Sequence, residues 1–170
     1  MEKILVIGCP GSGKSTLSRC LADKLCLPLV HLDKLWWREG WIEIPREEFD
    51  ELLQVELEKP AWIIDGNFNR TLPHRLNYCD TVIWLDFPRI TCLCGVIHRV
   101  IVNHGKTRPD MGDGCPDRFD MEFLKYVWGF NKAYREKYRE MLGGTDGVTT
   151  IILKSRKDVK RFLENTEKQS

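Results

Sequence analysis

The chain has 170 residues, with 26 Lys and Arg against 25 Asp and Glu, so it is one domain's length and close to electrically neutral. A domain of that size buries roughly 70% of its unfolded surface and needs neither a disulfide nor a structural metal. Near-neutrality and the lack of a membrane-spanning apolar run exclude a broad nucleic-acid footprint and insertion into a bilayer, leaving small molecules as the expected partners, with a monomer or a homodimer as the expected state.

The seven cysteines (Cys9, Cys20, Cys26, Cys79, Cys92, Cys94 and Cys115) are an odd set without zinc-type CxxC pairs, and no secretory h-region precedes them. Reduced thiols in a cytoplasmic protein are the expectation. Cys94 and His98 stand one helical turn apart, but two ligands are too few for a structural metal site.

In chain order, "ILVI" at 4–7 reads as a strand. "GCPGSGKS" (Gly8, Cys9, Pro10, Gly11, Ser12, Gly13, Lys14, Ser15) follows it, and Thr16, Leu17, Leu21 and Leu25 open a helical pattern. This is GxxxxGK[ST] in the context of strand, loop and helix. Glycines let the backbone turn its N–H groups inward around phosphates at a helix N-terminus. Lys14 reaches the outer phosphates and Ser15 offers its hydroxyl to Mg²⁺. A nucleoside triphosphate is the expected ligand.

A second strand is expected at "LVHLD" (29–33), ending in Asp33, and "HLDKLWWREGW" runs on through Trp36, Trp37, Arg38 and Trp41. Residues 34–59 read as an acceptor-side insertion. Asp33 at a strand's carboxyl end faces the ligand crevice of a doubly wound sheet, where a carboxylate can take a proton from an attacking hydroxyl; it can equally be a turn or cap residue. The indoles can stack on a flat acceptor or simply pack. Pro45 starts a helix whose stripe is Phe49, Leu52, Leu53 and Leu57.

The third strand, "AWIIDG" (61–66), places Asp65 where a strand-end acid can hold Mg²⁺ through water. Gly66 follows it, so the water-orienting acid of motor ATPases is missing, and transfer to an acceptor is favoured over hydrolysis. Asn67 and Arg70 lie on the acceptor side. Arg38, Arg70 and Arg75 are candidates to hold an anionic acceptor, or are solvated charges. A hydroxyl acceptor needs Asp33 and a phosphate acceptor needs arginines, so nucleoside and nucleotide both stay open.

The fourth strand is "TVIWLD" (81–86), followed by an expected stripe of Ile90, Leu93, Cys94, Ile97 and Ile101. Residues 105–118, "GKTRPDMGDGCPDR", are too polar and too rich in Gly and Pro for a helix. A lid that brings Lys106, Arg108 and Arg118 over a triphosphate is the expectation, against a plain surface insertion. Phe123, Val127, Phe130, Tyr134 and Tyr138 form a third stripe. "TTIIL" (149–153) is the fifth strand, and "SRKD" opens the last helix with Asp158 in the place of the usual Glu. "NKAY" lacks the acid of a guanine-selective NKxD, so ATP is the expected nucleotide. Strands alternating with helices imply a mostly parallel α/β sheet covered on both faces.

"IIDGNFNRT" resembles the strand-three D-G-F-P-R-T of adenylate kinases, and "VIWLDFP" followed by Arg99 resembles their strand four and the arginine leading into their lid. Two departures stand out. Arg70 is five residues after the Asp instead of four, and "HLDKLWWREGW" replaces the AMP-binding stretch after strand two. Through "HLDKLWW", "WIIDGNFNRT" and "RPDMGDGCP" nearly the whole chain is similar to the bacterial topology-modulation (FlaR-like) proteins. The resemblance implies a three-layer P-loop fold of five parallel strands ordered 2-3-1-4-5 and a single nucleoside/nucleotide-kinase-like domain over 1–170. It also implies an ATP- and Mg²⁺-dependent small-molecule kinase with Lys14, Asp33, Arg99, Arg108 and Arg118 around the transferring group. An ATP-binding regulatory protein with a DNA-topology role is the alternative; near-neutral charge and the lack of a helix-turn-helix or basic arm weigh against it.

Overall fold

The fold is seen in a computed structural model, which describes residues 1–117, 119–145 and 147–166. Its centre is a parallel sheet of β1 (Lys3–Gly8), β2 (Leu29–His31), β5 (Trp62–Asp65), β6 (Thr81–Leu85) and β7 (Thr149–Leu153), ordered β2-β5-β1-β6-β7. Numbered among themselves, these strands run 2-3-1-4-5, as expected. The central strand β1 is buried on both faces: Ile4, Leu5, Val6 and Ile7 are all fully buried, which explains why its sequence is uninterrupted rather than alternating.

Helices α1 (Lys14–Leu25), α3 (Arg46–Leu57), α5 (Arg89–Asn103), α6 (Met121–Gly143) and α7 (Arg156–Asn165) cover the sheet. Two one-turn helices, α2 (Leu32–Trp36) and α4 (Leu72–Leu76), and a small hairpin of β3 (Trp37–Arg38) and β4 (Ile42–Glu43) complete the chain. Pro45 precedes α3, whose buried face is Phe49, Leu53 and Leu57. In α6 the buried residues are Val127, Phe130, Tyr138 and Leu142. Ser155 caps α7 by accepting from the Asp158 N–H, while the Asp158 carboxylate accepts from the Ser155 hydroxyl at 2.8 Å and the Lys154 N–H at 3.2 Å, a variant of the capping box.

Two expectations fail here for physical reasons. The second strand stops at His31, the last residue in register with β5, and Asp33 lies instead in the first turn of α2. Leu32, fully buried, packs where Gly66 has no side chain: a Cβ there would lie 2.9 Å from the Leu32 Cβ. On α5 the buried face is Cys92, Val96 and Val100, while Ile90, Cys94, Ile97 and Ile101 of the expected stripe face solvent. The helix lies so close to the phosphate loop that a Cβ on Gly11 would come 2.1 Å from the Cys92 carbonyl oxygen, and one on Gly95 2.1 Å from the Gly11 oxygen. Only the small-residue face fits that approach, and it overrides the larger apolar area on the other side.

No described helix is long and apolar enough to cross a membrane.

Candidate active site

Gly8, Gly11 and Gly13 all have positive φ (143°, 82° and 94°), and Gly13 N-caps α1, whose first turn carries no acid to compete with an anion. Lys14 bends back over the loop and donates to the carbonyls of Gly8 at 2.8 Å and Cys9 at 3.2 Å. Burial lowers its pKa, opposed chiefly by the Asp65 carboxylate. The Asn67 amide oxygen accepts the Gly8 N–H at 3.1 Å, tying the start of the loop to the segment after β5.

A cavity of about 460 Å³ opens at the carboxyl ends of β1, β2 and β5. Lys14, Ser15, Asp33 and Asp65 lie together in it, beside Pro10 and Asn67. One wall is aromatic. Trp36 packs edge-on against Phe49 and Phe68, with centroids 5.2 and 5.8 Å apart, and Trp37 against Trp41 at 5.4 Å. Another part of the lining comes from α5, the loop after it and α6, through Arg99, Arg108, Asp110, Asp117 and Tyr126.

Two carboxylates at the floor are held differently. Asp65, 4% exposed, pairs through Oδ1 with His31 Nδ1 at 2.6 Å, while its buried Oδ2 has no hydrogen-bond partner. No hydrogen bond or ion pair among the described residues engages the Asp33 carboxylate. Burial, and then the neighbouring Asp65, push its carboxyl from the ordinary 3.8 up to about 6, against the pull of Lys14 and Arg108. A carboxylate of that basicity, facing a cavity, is suited to accept a proton near neutral pH.

The expected lid is folded onto the site. Arg108 binds Asp110 at 2.7 Å and Asp117 at 3.0 Å, and Arg99 lies 3.5 Å from Asp117. The loop also grips the hairpin: the Gly40 N–H donates to the Gly114 carbonyl at 3.1 Å and the Cys115 thiol to the Arg38 carbonyl at 3.1 Å. Lys106 is exposed and away from the cavity, and Arg118 lies outside the described residues.

Three arginines expected on the acceptor side are placed elsewhere. Arg38 pairs with Glu48 at 2.9 Å and Arg70 with Asp50 at 2.7 Å, both exposed and outside the cavity. Arg70 sits where it does because α3 offers Asp50 as a bidentate partner. Arg75 is fully buried and donates to the carbonyls of Gly66, Asn67 and Phe68, so it braces the loop after β5.

A second cavity of about 300 Å³ lies on the other side of the phosphate loop, lined by Gly11, Ser12, Gly13 and Thr16 with Leu85, Phe87, Arg156, Val159 and Leu163. Cys9 turns inward and donates to the Val127 carbonyl at 3.7 Å. His31, Phe68, Asp110, Tyr126 and Arg156 were not expected at the site. His31 was legible in principle, since the last residues of adjacent parallel strands face one another. Asp110 was visible in a loop read for its cations alone.

The site's oxygens fit a magnesium ion: the Ser15 hydroxyl and the orphaned Asp65 Oδ2 are hard donors in one cavity. No cluster of three or more metal-binding side chains occurs among the described residues, so the phosphates and water would complete such a shell.

No family model and no curated protein matches the chain. Among solved structures it is similar to a deoxyadenosine kinase from M. mycoides with bound dATP, at 18% identity and TM-score 0.57, covering 95% of each chain. It is also similar to a shikimate kinase from Bacteroides thetaiotaomicron, at 17% identity and TM-score 0.55, covering 95% of this chain and 93% of that one. At these identities the likeness establishes the architecture: this chain has the α/β fold of P-loop small-molecule kinases.

Proposed function

We propose that the protein transfers the terminal phosphoryl group of ATP to a hydroxyl of a small molecule, of which a nucleoside is the leading type. The observation that carries this reading is Asp33. It is a partnerless carboxylate of raised basicity, in one cavity with Lys14 and Ser15 of the phosphate loop, beside an aromatic wall. The same geometry weakens the nucleotide alternative, because Arg38, Arg70 and Arg75 are all committed outside the cavity.

In this reading the base and ribose of ATP take the smaller cavity, and the phosphates cross the glycine loop towards Lys14. Magnesium, held by Ser15 and through water by Asp65, would supply charge neutralisation on the phosphates. Asp33 accepts the proton of the acceptor hydroxyl as its oxygen attacks the γ-phosphorus. Lys14 moves from the loop carbonyls to the phosphate oxygens. Arg99 and Arg108 stabilise charge on the transferring group, and the lid and hairpin together exclude water. Asn67 holds the loop in register from the lining of the same cavity.

The test is ADP formation with matched sets of nucleosides, nucleoside monophosphates and unrelated hydroxyl compounds, with phosphorylated product identified by mass. Turnover confined to unphosphorylated acceptors is expected. Turnover with monophosphates only, or ATP binding with no acceptor at all, would overturn the reading. Lys14→Ala is the control: it should lose ATP binding and turnover while keeping the fold.

A further inference from the structure

The lid brings a carboxylate to the cavity as well as Arg108. Asp110 is 6% exposed; it is held by Arg108 at 2.7 Å, and it lines the cavity together with Ser15, whose hydroxyl helps to lower its pKa. That hydroxyl is the one the phosphate-loop motif offers to a metal ion. Asp33 and His31 stand close enough to act on Asp110 electrostatically. Asp65 presents its unpartnered, buried Oδ2 in the same cavity, with its other oxygen fixed by His31. Asp33, Asp65 and Asp110, from three separate segments, thus line one cavity with Ser15, Lys14 and Arg108.

A triphosphate cannot join that group unaided. Two like charges about 4 Å apart repel by about 4 kcal/mol at the effective dielectric of a protein surface, and Asp110 would face several phosphate oxygens. A divalent cation between them turns the same carboxylate from a repulsive group into a ligand, and oxygen donors are what such a cation takes. Arg108 keeps its charge balanced meanwhile, because its Nε lies 3.0 Å from Asp117.

We propose that Asp110 is a lid-borne oxygen ligand, direct or through water, for a divalent cation shared with Ser15 and Asp65, so that the lid closes on metal-bound nucleotide and not on nucleotide alone. The role rests on the ATP reading above and adds to it a metal-dependent lid. The competing explanation is that Asp110 stands in for a phosphate and is expelled by any nucleotide.

Two measurements on the intact protein separate these, neither needing a known acceptor. Amide exchange over residues 105–117 is followed with ATP in EDTA and with ATP plus Mg²⁺. Protection of the segment with Mg²⁺ and loss of it in EDTA is expected. Mn²⁺ affinity of the ATP complex is then measured by electron paramagnetic resonance for the wild type and Asp110→Asn, which preserves size. Weakening of Mn²⁺ by roughly tenfold or more is expected, with ATP affinity in EDTA unchanged or tighter because a like charge is gone. Equal protection with and without metal, or unchanged Mn²⁺ affinity in the variant, overturns the role of Asp110. Failure to bind ATP under either condition overturns the nucleotide reading itself, and the metal role with it.

Discussion

The two cavities on either side of the phosphate loop differ in the chemistry they hold. The larger gathers Lys14, Asp33, Asp65, Arg99 and Arg108 against a wall of indoles; the smaller is lined by the glycine loop with Ser12, Thr16 and Cys20, by apolar side chains including Phe87, and by one charged residue, Arg156. Burial of charge is costly, and a fold tolerates several buried carboxylates where chemistry needs them. The contrast teaches that the ionisable groups lie on one side of this loop, and under the proposed function that side is the reacting one.

The sharpest way to break the contrast is Asp33→Asn. Loss of the base should lower phosphoryl transfer by about 10²–10⁴-fold with ATP affinity nearly unchanged. The wild-type rate should fall as pH drops through about 6, the pKa of Asp33, and the variant should lack that limb. Stability should move the other way. The folded pKa lies above the unfolded 3.8, so the stabilising contribution is full below about 4 and disappears as pH rises through about 6. At neutral pH the ionised carboxylate costs about 1–3 kcal/mol, and denaturant unfolding should find Asp33→Asn more stable by that order. Equal activity and equal stability would mean that Asp33 is an ordinary helix residue.

Trp36→Ala tests the aromatic wall and should cost less in rate. Removing a ring packed edge-on against the stacked pair Phe49 and Phe68 should destabilise the fold by about 3 kcal/mol and weaken acceptor binding. If acceptor KM is unchanged after correction for the folded fraction, the indole only packs.

Arg156→Ala sharpens the comparison from the other side. Roughly three- to tenfold weaker ATP binding with unchanged acceptor KM is expected, since Arg156 lines only the smaller cavity. A change in acceptor KM alone would reverse the assignment of the two cavities. The smallest effect belongs to Arg70→Ala: its pair with Asp50 is exposed, so stability should change by about 0–1 kcal/mol and kinetics not at all.

The sequence by itself determined the phosphate loop and the alternation of strands with helices, while the sheet order was implied only by the family resemblance. Glycine spacing, a β-branched run and a helical pattern are local signals, and β1, the loop and α1 need no distant partner to be read. It also marked Asp33 and Asp65 as acids near strand ends, because the carboxyl edge of a parallel sheet is where loops carry ligands. Tertiary structure decided the rest. Which arginines serve the cavity depended on where free carboxylates lay: Asp50 and Glu48 drew Arg70 and Arg38 away, and buried carbonyls took Arg75. Which face of α5 turned inward depended on how closely Gly11 and Gly95 let two backbones approach, against the larger apolar stripe. The pairing of His31 with Asp65 and the meeting of Ser15 and Asp110 in one cavity join segments 34 and 95 residues apart in sequence, and proximity of that range is set by the closing of the sheet and lid.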